Sequence, residues 1–280
     1  MKPIRMVAVD MDGTLLNSRQ ELPEENAEAL REAERAGIAV VICSGRMMED
    51  GSQFARSAGL NCWIAGCNGA RLLSAPLPQG QVIARHGLPA GKTTQRVIDV
   101  LMAHNLIING FQDGHLVTVR PAQNEGWQEQ WSHQLARRGI VRIDYGEEAL
   151  RRAADEGVIK LVAIEERRPE RLVEAGAQIA RIAGVDVTSS WANNIEIMPA
   201  GIDKGSALAE ISAYLHLTAD EVMAIGDQEN DRPMLAFAGH STAMGNATEA
   251  IKALCVHRTL SNDEAGVAYA VRRWALGETL

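Results

Sequence analysis

Ile4-Arg5-Met6-Val7-Ala8-Val9-Asp10-Met11-Asp12-Gly13-Thr14-Leu15-Leu16 decides how this chain folds. Residues 4–9 are a short apolar, β-branched run, which predicts a buried strand. Asp10 and Asp12 follow where that strand ends, and in open parallel sheets ligands bind outside the carboxyl ends of the strands. Lying two residues apart, the two acids are aimed by a pleat to one face. Close carboxylates repel unless one is protonated or a cation lies between them. Gly13 permits the sharp turn that splays them. An ordinary Asp-Gly turn after a strand is the plain alternative for these residues.

Working outward, the pattern continues as strand, helix, strand, helix, strand. Pro23 and Glu24 open a helix whose apolar stripe is Ala27, Leu30, Ala33 and Ala36, and Gly37 ends it. Residues 38–43 predict a second strand, 47–58 a helix and 62–65 a third strand. The C-terminal end repeats the alternation: helix 205–215, strand 222–225, helix 231–238, strand 241–244, helix 247–254 and a closing helix over 263–274. Alternation of this kind predicts a parallel sheet with right-handed crossovers. The middle reads as a different α/β module. Its strand candidates are 106–109, 116–119, 159–164 and 185–188; its helix candidates are 93–104, 125–138 (with Trp127 and Trp131) and 169–182. The expected fold is therefore α/β: a doubly wound, mainly parallel, Rossmann-like core made of residues 1–84 and 191–280, with an α/β cap inserted over 85–190.

Three further polar clusters sit at strand ends or helix starts. Ser44-Gly45-Arg46 follows the second strand, and a hydroxyl with free backbone N–H groups opening a helix is an anion site; Ser is also an ordinary helix cap. Arg46 reaches the cleft or remains a first-turn surface charge. Lys204 stands at a helix entry. Gly226-Asp227-Gln228-Glu229-Asn230-Asp231 follows another strand, and its acids and Asn suit a hard, oxygen-seeking cation such as Mg²⁺. Asn68 ends the third strand, where it touches substrate or takes a left-handed turn before Gly69.

Composition excludes several function classes. A chain of 280 residues, 46% hydrophobic and 23% charged, can bury a sizeable core, so disorder does not dominate. A net charge of −8 argues against nonspecific binding to nucleic acid or an anionic membrane. Aromatic residues are 4%, too few for base-stacking platforms. No apolar run is long enough to span a membrane, and the N-terminus lacks the features of a signal peptide. Cys43, Cys62, Cys67 and Cys255 are too scattered for a disulfide framework and read as buried free thiols in a reducing cytoplasm. The seven histidines share no ligand spacing. Lys160, in a strand of the inserted module, either meets substrate or, as a lone lysine more often does, stays exposed.

The four clusters together resemble the haloacid-dehalogenase-like superfamily of phosphohydrolases, in its Cof-like branch. Asp10-Met11-Asp12-Gly13-Thr14-Leu15-Leu16, Ser44-Gly45-Arg46, Lys204 before Gly205-Ser206, and Gly226 to Asp231 occur in that family's order. Asn68-Gly69-Ala70, residues 196–201, Met244-Gly245-Asn246-Ala247 and residues 261–267 match as well. The resemblance implies that Asp10 attacks phosphorus and becomes an aspartyl phosphate. It implies that Asp12 protonates the leaving oxygen and then activates water, with its backbone carbonyl facing the metal. Ser44, Gly45 and Lys204 would hold the phosphoryl group. Asp227 would bind Mg²⁺ with Asp10 and Asp12, and Asn230 and Asp231 would lie in or just behind the metal's ligand set. Thr14 would support the loop, and Arg46 and Asn68 would lie near substrate. The expected partner is a small phosphorylated metabolite: a sugar phosphate, a nucleotide or a phosphorylated cofactor. A phosphomutase and a receiver-type phospho-acceptor module are the competing readings. The oligomeric state is not legible in the sequence.

Overall fold

In the computed structural model, residues 2–77, 79–120 and 142–279 are described. The chain divides into two compact units, Met1–Ala84 with Asp203–Leu280, and Arg85–Ile202.

The first unit begins with β1 (Met6–Val9), every residue of which is buried. Strands buried on both faces must be apolar throughout, which this run satisfies. Next comes α1 (Glu24–Arg35), with acids in its first turn, Arg35 in its last, and Ala27, Ala29, Leu30 and Ala33 facing inward. It is followed by β2 (Ala39–Cys43), α2 (Met48–Ser57) and β3 (Trp63–Gly66). β1, β2 and β3 are parallel. The chain then doubles back through β4 (Arg71–Leu73), antiparallel to β3, and β5 (Val82–Arg85).

The second unit contains α3 (Lys92–Ala103), β6 (Ile107–Gln112), β7 (His115–Val119), β8 (Arg142–Tyr145), α4 (Glu147–Glu156), β9 (Lys160–Ile164), α5 (Glu170–Ile179), β10 (Val185–Thr188) and β11 (Asn194–Pro199). Its six-stranded sheet has the order β10-β11-β9-β6-β7-β8. Among the described residues its strands pair antiparallel except β7 with β8. One face carries Ile108, Val117, Leu161, Ala163, Ile195 and Ile197, which share a core with Ile98 and Leu101 of α3, Leu150 of α4 and Leu172 of α5.

The chain then returns to the first unit with α6 (Lys204–Tyr214), β12 (Val222–Gly226), α7 (Arg232–Phe237), β13 (His240–Ala243), α8 (Glu249–Leu254), β14 (His257–Arg258) and α9 (Gly266–Ala270). The eight-stranded sheet reads β14-β13-β12-β1-β2-β3-β4-β5. β1 is central, with the return strand β12 on one side and β2 on the other, both parallel to it. Sheet order reverses at β1, and such switch points are where doubly wound sheets bind ligands.

Three expectations need correction or comment. The second unit ends at Ile202, not at residue 190, because β11 pairs antiparallel with both β9 and β10; residues 196–199 therefore belong to the second sheet. The closing helix is broken at Ala265, which is left-handed (φ 54°), after a turn over Asn262–Glu264 held by the Ser261–Glu264 capping pair. The helix expected over 125–138 lies outside the described residues. Among the described residues no helix is long and apolar enough to cross a membrane. The four cysteines are free, with Cys43, Cys62 and Cys67 buried.

Candidate active site

Strand register brings three of the four clusters together. Val9 is paired with Ile225 on one side and Ile42 on the other. The loops after β1, β2 and β12 therefore leave the sheet side by side. The ladders run one step further, with Asp10 N–H donating to Ile225 O (3.1 Å) and Ser44 N–H to Ala65 O (2.9 Å).

Lys204 supplies the fourth cluster. It is the first residue of α6, whose start is fixed by a capping box between Asp203 and Ser206. The side chain is fully buried, and its Nζ donates to Asp10 Oδ1 and to Asp231 Oδ1, both at 2.6 Å. Asp10, Asp227 and Asp231 form a buried cluster with one oxygen of each within 4.8 Å of the others. Three carboxylates thus face one ammonium, which favours a further cation or a proton. Burial, reinforced by the Asp231 charge, holds the Asp10 carboxyl well above its ordinary range, against the pull of Lys204. The same two causes push Asp227 up to about 7. Burial works against the charge on Lys204, but Asp10 and Asp231 outweigh it and raise its pKa well above the usual value. Cys43, next to Ser44, is pushed up to about 12 by burial, so its thiol stays protonated.

Asp231 is occupied on both oxygens. Lys204 takes Oδ1, and the backbone N–H groups of Asp227 (2.9 Å) and Gln228 (3.0 Å) donate to Oδ2. It positions Lys204 and the loop. Gly226 allows this closeness, since a Cβ there would lie 2.7 Å from the Asp231 side chain. Thr14 Oγ1 donates to Asp227 Oδ1 (2.9 Å), and Gln228 Nε2 to Oδ2 (3.2 Å). Gly13 is left-handed (φ 81°), and a Cβ there would lie 2.5 Å from Asp227 Oδ2. Any larger residue would push the β1 and β12 loops apart.

Asp12 stands apart from the buried cluster. Its carboxylate receives a two-pronged bond from Arg46, Nε at 2.8 Å and Nη2 at 2.6 Å, and is half exposed. The third carboxylate of the cluster is therefore Asp231, because the guanidinium fork holds the Asp12 side chain elsewhere. Burial opposes the Arg46 charge, but Asp12 and Asp50 more than compensate and keep it ionised. Arg46 lies against the cleft loop and is no solvated surface charge. Its N–H donates to Ser44 Oγ (3.1 Å), so one residue ties the Ser44–Gly45 turn to Asp12. Ser44 is itself buried. Asn68 is left-handed (φ 53°); its N–H donates to Ser44 O (2.9 Å) and its Oδ1 accepts from Asn230 Nδ2 (3.3 Å). It therefore takes the turn and also bridges the β2, β3 and β12 loops.

Sequence reading gave no part to three residues that support these loops. Asn246 Nδ2 donates to Gly13 O (2.8 Å), and its place in the Met244–Ala247 motif was the available signal. Gln20 and Asp50 complete the shell around Arg46, and nothing in their spacing announces it.

A family model of haloacid dehalogenase-like hydrolases matches residues 7–271. The chain belongs to that family. It is 31% identical over 273 residues to the 5-amino-6-(5-phospho-D-ribitylamino)uracil phosphatase YcsE of Bacillus subtilis, a match covering 98% of this chain and 96% of that protein. It is 28% identical over 277 residues to the HMP-PP phosphatase of Serratia proteamaculans, covering 96% and 95%. Among solved structures, a haloacid dehalogenase-like hydrolase from B. subtilis superposes with a TM-score of 0.81 at 27% identity, covering 96% of this chain and 99% of that one. Members of this family are hydrolases, and the curated relatives named here are phosphatases.

Proposed function

We propose that this hydrolase is a Mg²⁺-dependent phosphatase of a small phosphorylated metabolite, working through an aspartyl phosphate on Asp10. The observation that carries the reading is the buried group of Asp10, Asp227 and Asp231 around Lys204 at the sheet's switch point. The phosphatase relatives point the same way. The donor set suits a hard cation, since three ionised carboxylates against one ammonium leave the group two positive charges short of balance. Asp10, Asp227 and the Asp12 backbone carbonyl would hold Mg²⁺, which supplies positive charge to the phosphoryl oxygens.

The chain's own residues then divide the work. An Asp10 oxygen attacks phosphorus while the bond to the leaving oxygen breaks, and Asp12 gives that oxygen its proton. In the second step Asp12 takes a proton from water as the water oxygen attacks phosphorus and the bond to Asp10 breaks. Ser44 and the N–H groups of the Gly45 turn bind phosphoryl oxygens. Lys204 neutralises charge on Asp10 and on the transferring group. Arg46 sets where the Asp12 carboxylate lies. The second unit, Arg85–Ile202, sets which organic group is accepted.

Release of inorganic phosphate from a panel of phosphorylated metabolites, with Mg²⁺, with Ca²⁺ and in chelator, tests this. Phosphate should appear with Mg²⁺ and stop in chelator. Ca²⁺ should inhibit, because it prefers more ligands at longer distances. Isomerised product without free phosphate would show a mutase, and undiminished turnover in chelator would remove the metal.

A further inference from the structure

Two stretches of the family pattern, Met244-Gly245-Asn246-Ala247 and residues 261–267, take no part in the chemistry proposed for the site. In the first unit they lie against each other. Gly245 N–H donates to Leu260 O (2.9 Å), and a Cβ on Gly245 would lie 2.7 Å from Ser261 N. Gly266 N–H donates to Ser261 O (3.0 Å), Thr259 Oγ1 donates to Gly266 O (2.6 Å), and a Cβ on Gly266 would lie 2.2 Å from Leu260 O. Glycine at both positions lets the backbones touch.

Three asparagines join this layer to the loop after β1. Asn246 Nδ2 donates to Gly13 O (2.8 Å), Asn26 Nδ2 to Leu15 O (3.1 Å) and Asn262 Nδ2 to Leu16 O (2.9 Å). Two of these amides are anchored at their other end as well. Asn246 Oδ1 accepts from Asn262 N–H (3.0 Å), and Asn26 Oδ1 accepts from Ala268 N–H (2.9 Å). Further along the loop, Asp263 Oδ1 accepts from Ser18 N–H (2.8 Å). A carboxamide donates and accepts at once, which neither a carboxylate nor an apolar side chain does. Asn26 and Asn262 are buried, whereas Asn246 is exposed. Three carbonyls within four residues are thus held, and Asp12 and Thr14 flank the first of them.

We infer that the segment 259–268 is a positioning element of this hydrolase, acting through Asn246, Asn262 and Asn26 to fix the backbone from Gly13 to Leu16. The inference rests on the phosphatase reading, in which Asp12 handles the leaving group's proton. Holding Gly13 O sets the Gly13–Thr14 peptide. On one side that peptide places Asp12; on the other it places Thr14, whose Oγ1 reaches Asp227. A catalytic group displaced by about 1 Å costs roughly 10²-fold in rate. Asn246 is the member to test, because an exposed side chain can be changed without opening the core.

Two variants of the full chain separate its two bonds. Asn246→Ala removes both, while Asn246→Asp keeps an acceptor for Asn262 N–H and loses the donor to Gly13 O. For each, kcat/KM is measured on phenyl phosphate and on p-nitrophenyl phosphate, whose leaving groups differ in their need for a proton, with circular dichroism reporting the fold. Both variants should lose at least about ten-fold on phenyl phosphate, and the ratio of phenyl to p-nitrophenyl phosphate should fall at least about three-fold. Equal losses on the two substrates would show general loosening and overturn the inference. So would activity kept by Asn246→Asp and lost by Asn246→Ala, because the role would then lie in the turn at Asn262. Hydrogen–deuterium exchange of residues 10–20 needs no turnover: it should quicken in both variants, and unchanged exchange overturns the inference. If the wild type hydrolyses neither phosphate ester nor any metabolite, the phosphatase reading fails, and the exchange measurement alone decides whether Asn246 holds the loop.

Discussion

Lys204 in the first unit and Lys160 in the second are both buried, and both meet carboxylates. Their surroundings differ in charge count. Lys204 faces Asp10 and Asp231 with Asp227 beside them, whereas the described ion pair of Lys160 is with the single carboxylate of Glu196. An unbalanced buried cluster is costly unless a further cation or a proton completes it, and it persists where a ligand does so. A pair of one cation and one anion carries no such excess of charge. Charge count thus separates the cluster proposed to handle a phosphoryl anion and a metal from an ion pair within the sheet.

The largest expected effect comes from breaking the unbalanced cluster at its centre. Asp10→Asn keeps the shape and removes the proposed nucleophile and metal ligand. Hydrolysis of every substrate should fall at least about 10⁴-fold, while circular dichroism shows the fold retained. Substantial turnover by the folded variant would take the nucleophile's role away from Asp10.

Asp12 sits outside the cluster and should behave differently. An alkoxide needs a proton to leave, and p-nitrophenolate hardly does. Asp12→Asn should therefore slow attack on sugar phosphates by roughly 10²–10⁴-fold, and on p-nitrophenyl phosphate much less. Rapid-quench kinetics should show a nitrophenol burst near one equivalent, with phosphate trapped on Asp10. Equal losses for both substrates and no burst would leave Asp12 a supporting residue only.

The balanced pair predicts a change in stability. Lys160→Met breaks the pair while Glu196 remains buried, which costs about 3–5 kcal/mol. Adding Glu196→Gln removes the charge, keeps an acceptor for Ser190 and should recover most of that loss. Chemical denaturation of wild type, single and double variants reads this directly. A double variant no more stable than the single would mean that the pair is not a self-contained balance.

The two units also differ in how much of them was legible beforehand. In the first, Met6–Val9, Ala39–Cys43 and Val222–Gly226 are apolar throughout because they are buried on both faces, so periodicity marks them and their ends mark the site. In the second, β11 carries Asn194 and Glu196 on one face and Ile195 and Ile197 on the other. The family motif at residues 196–201 overlaps this strand, so the sequence places it in the first unit, whereas its pairing puts it in the second. Lys160 read as exposed for a similar reason: its partner lies 36 positions away, and no local pattern announces it.

Resemblance to a family singles out Asp10, Asp12, Ser44, Lys204 and Asp227 for their proposed roles; by itself the sequence determined the α/β alternation and the parallel core. Those features depend on side-chain type and on periods of two or 3.6 residues, which a linear chain displays. Only the tertiary structure decided the pairings. It gave Lys204 to Asp10 and Asp231, and Arg46 to Asp12. It made Asp231 a support held on both oxygens, and left Asn109 Oδ1 and Thr118 Oγ1 buried without a hydrogen bond among the described residues. These partners lie tens to hundreds of residues apart for most of the contacts. Which carboxylate meets which cation depends on strand register and helix placement, and those are settled only when the whole core packs.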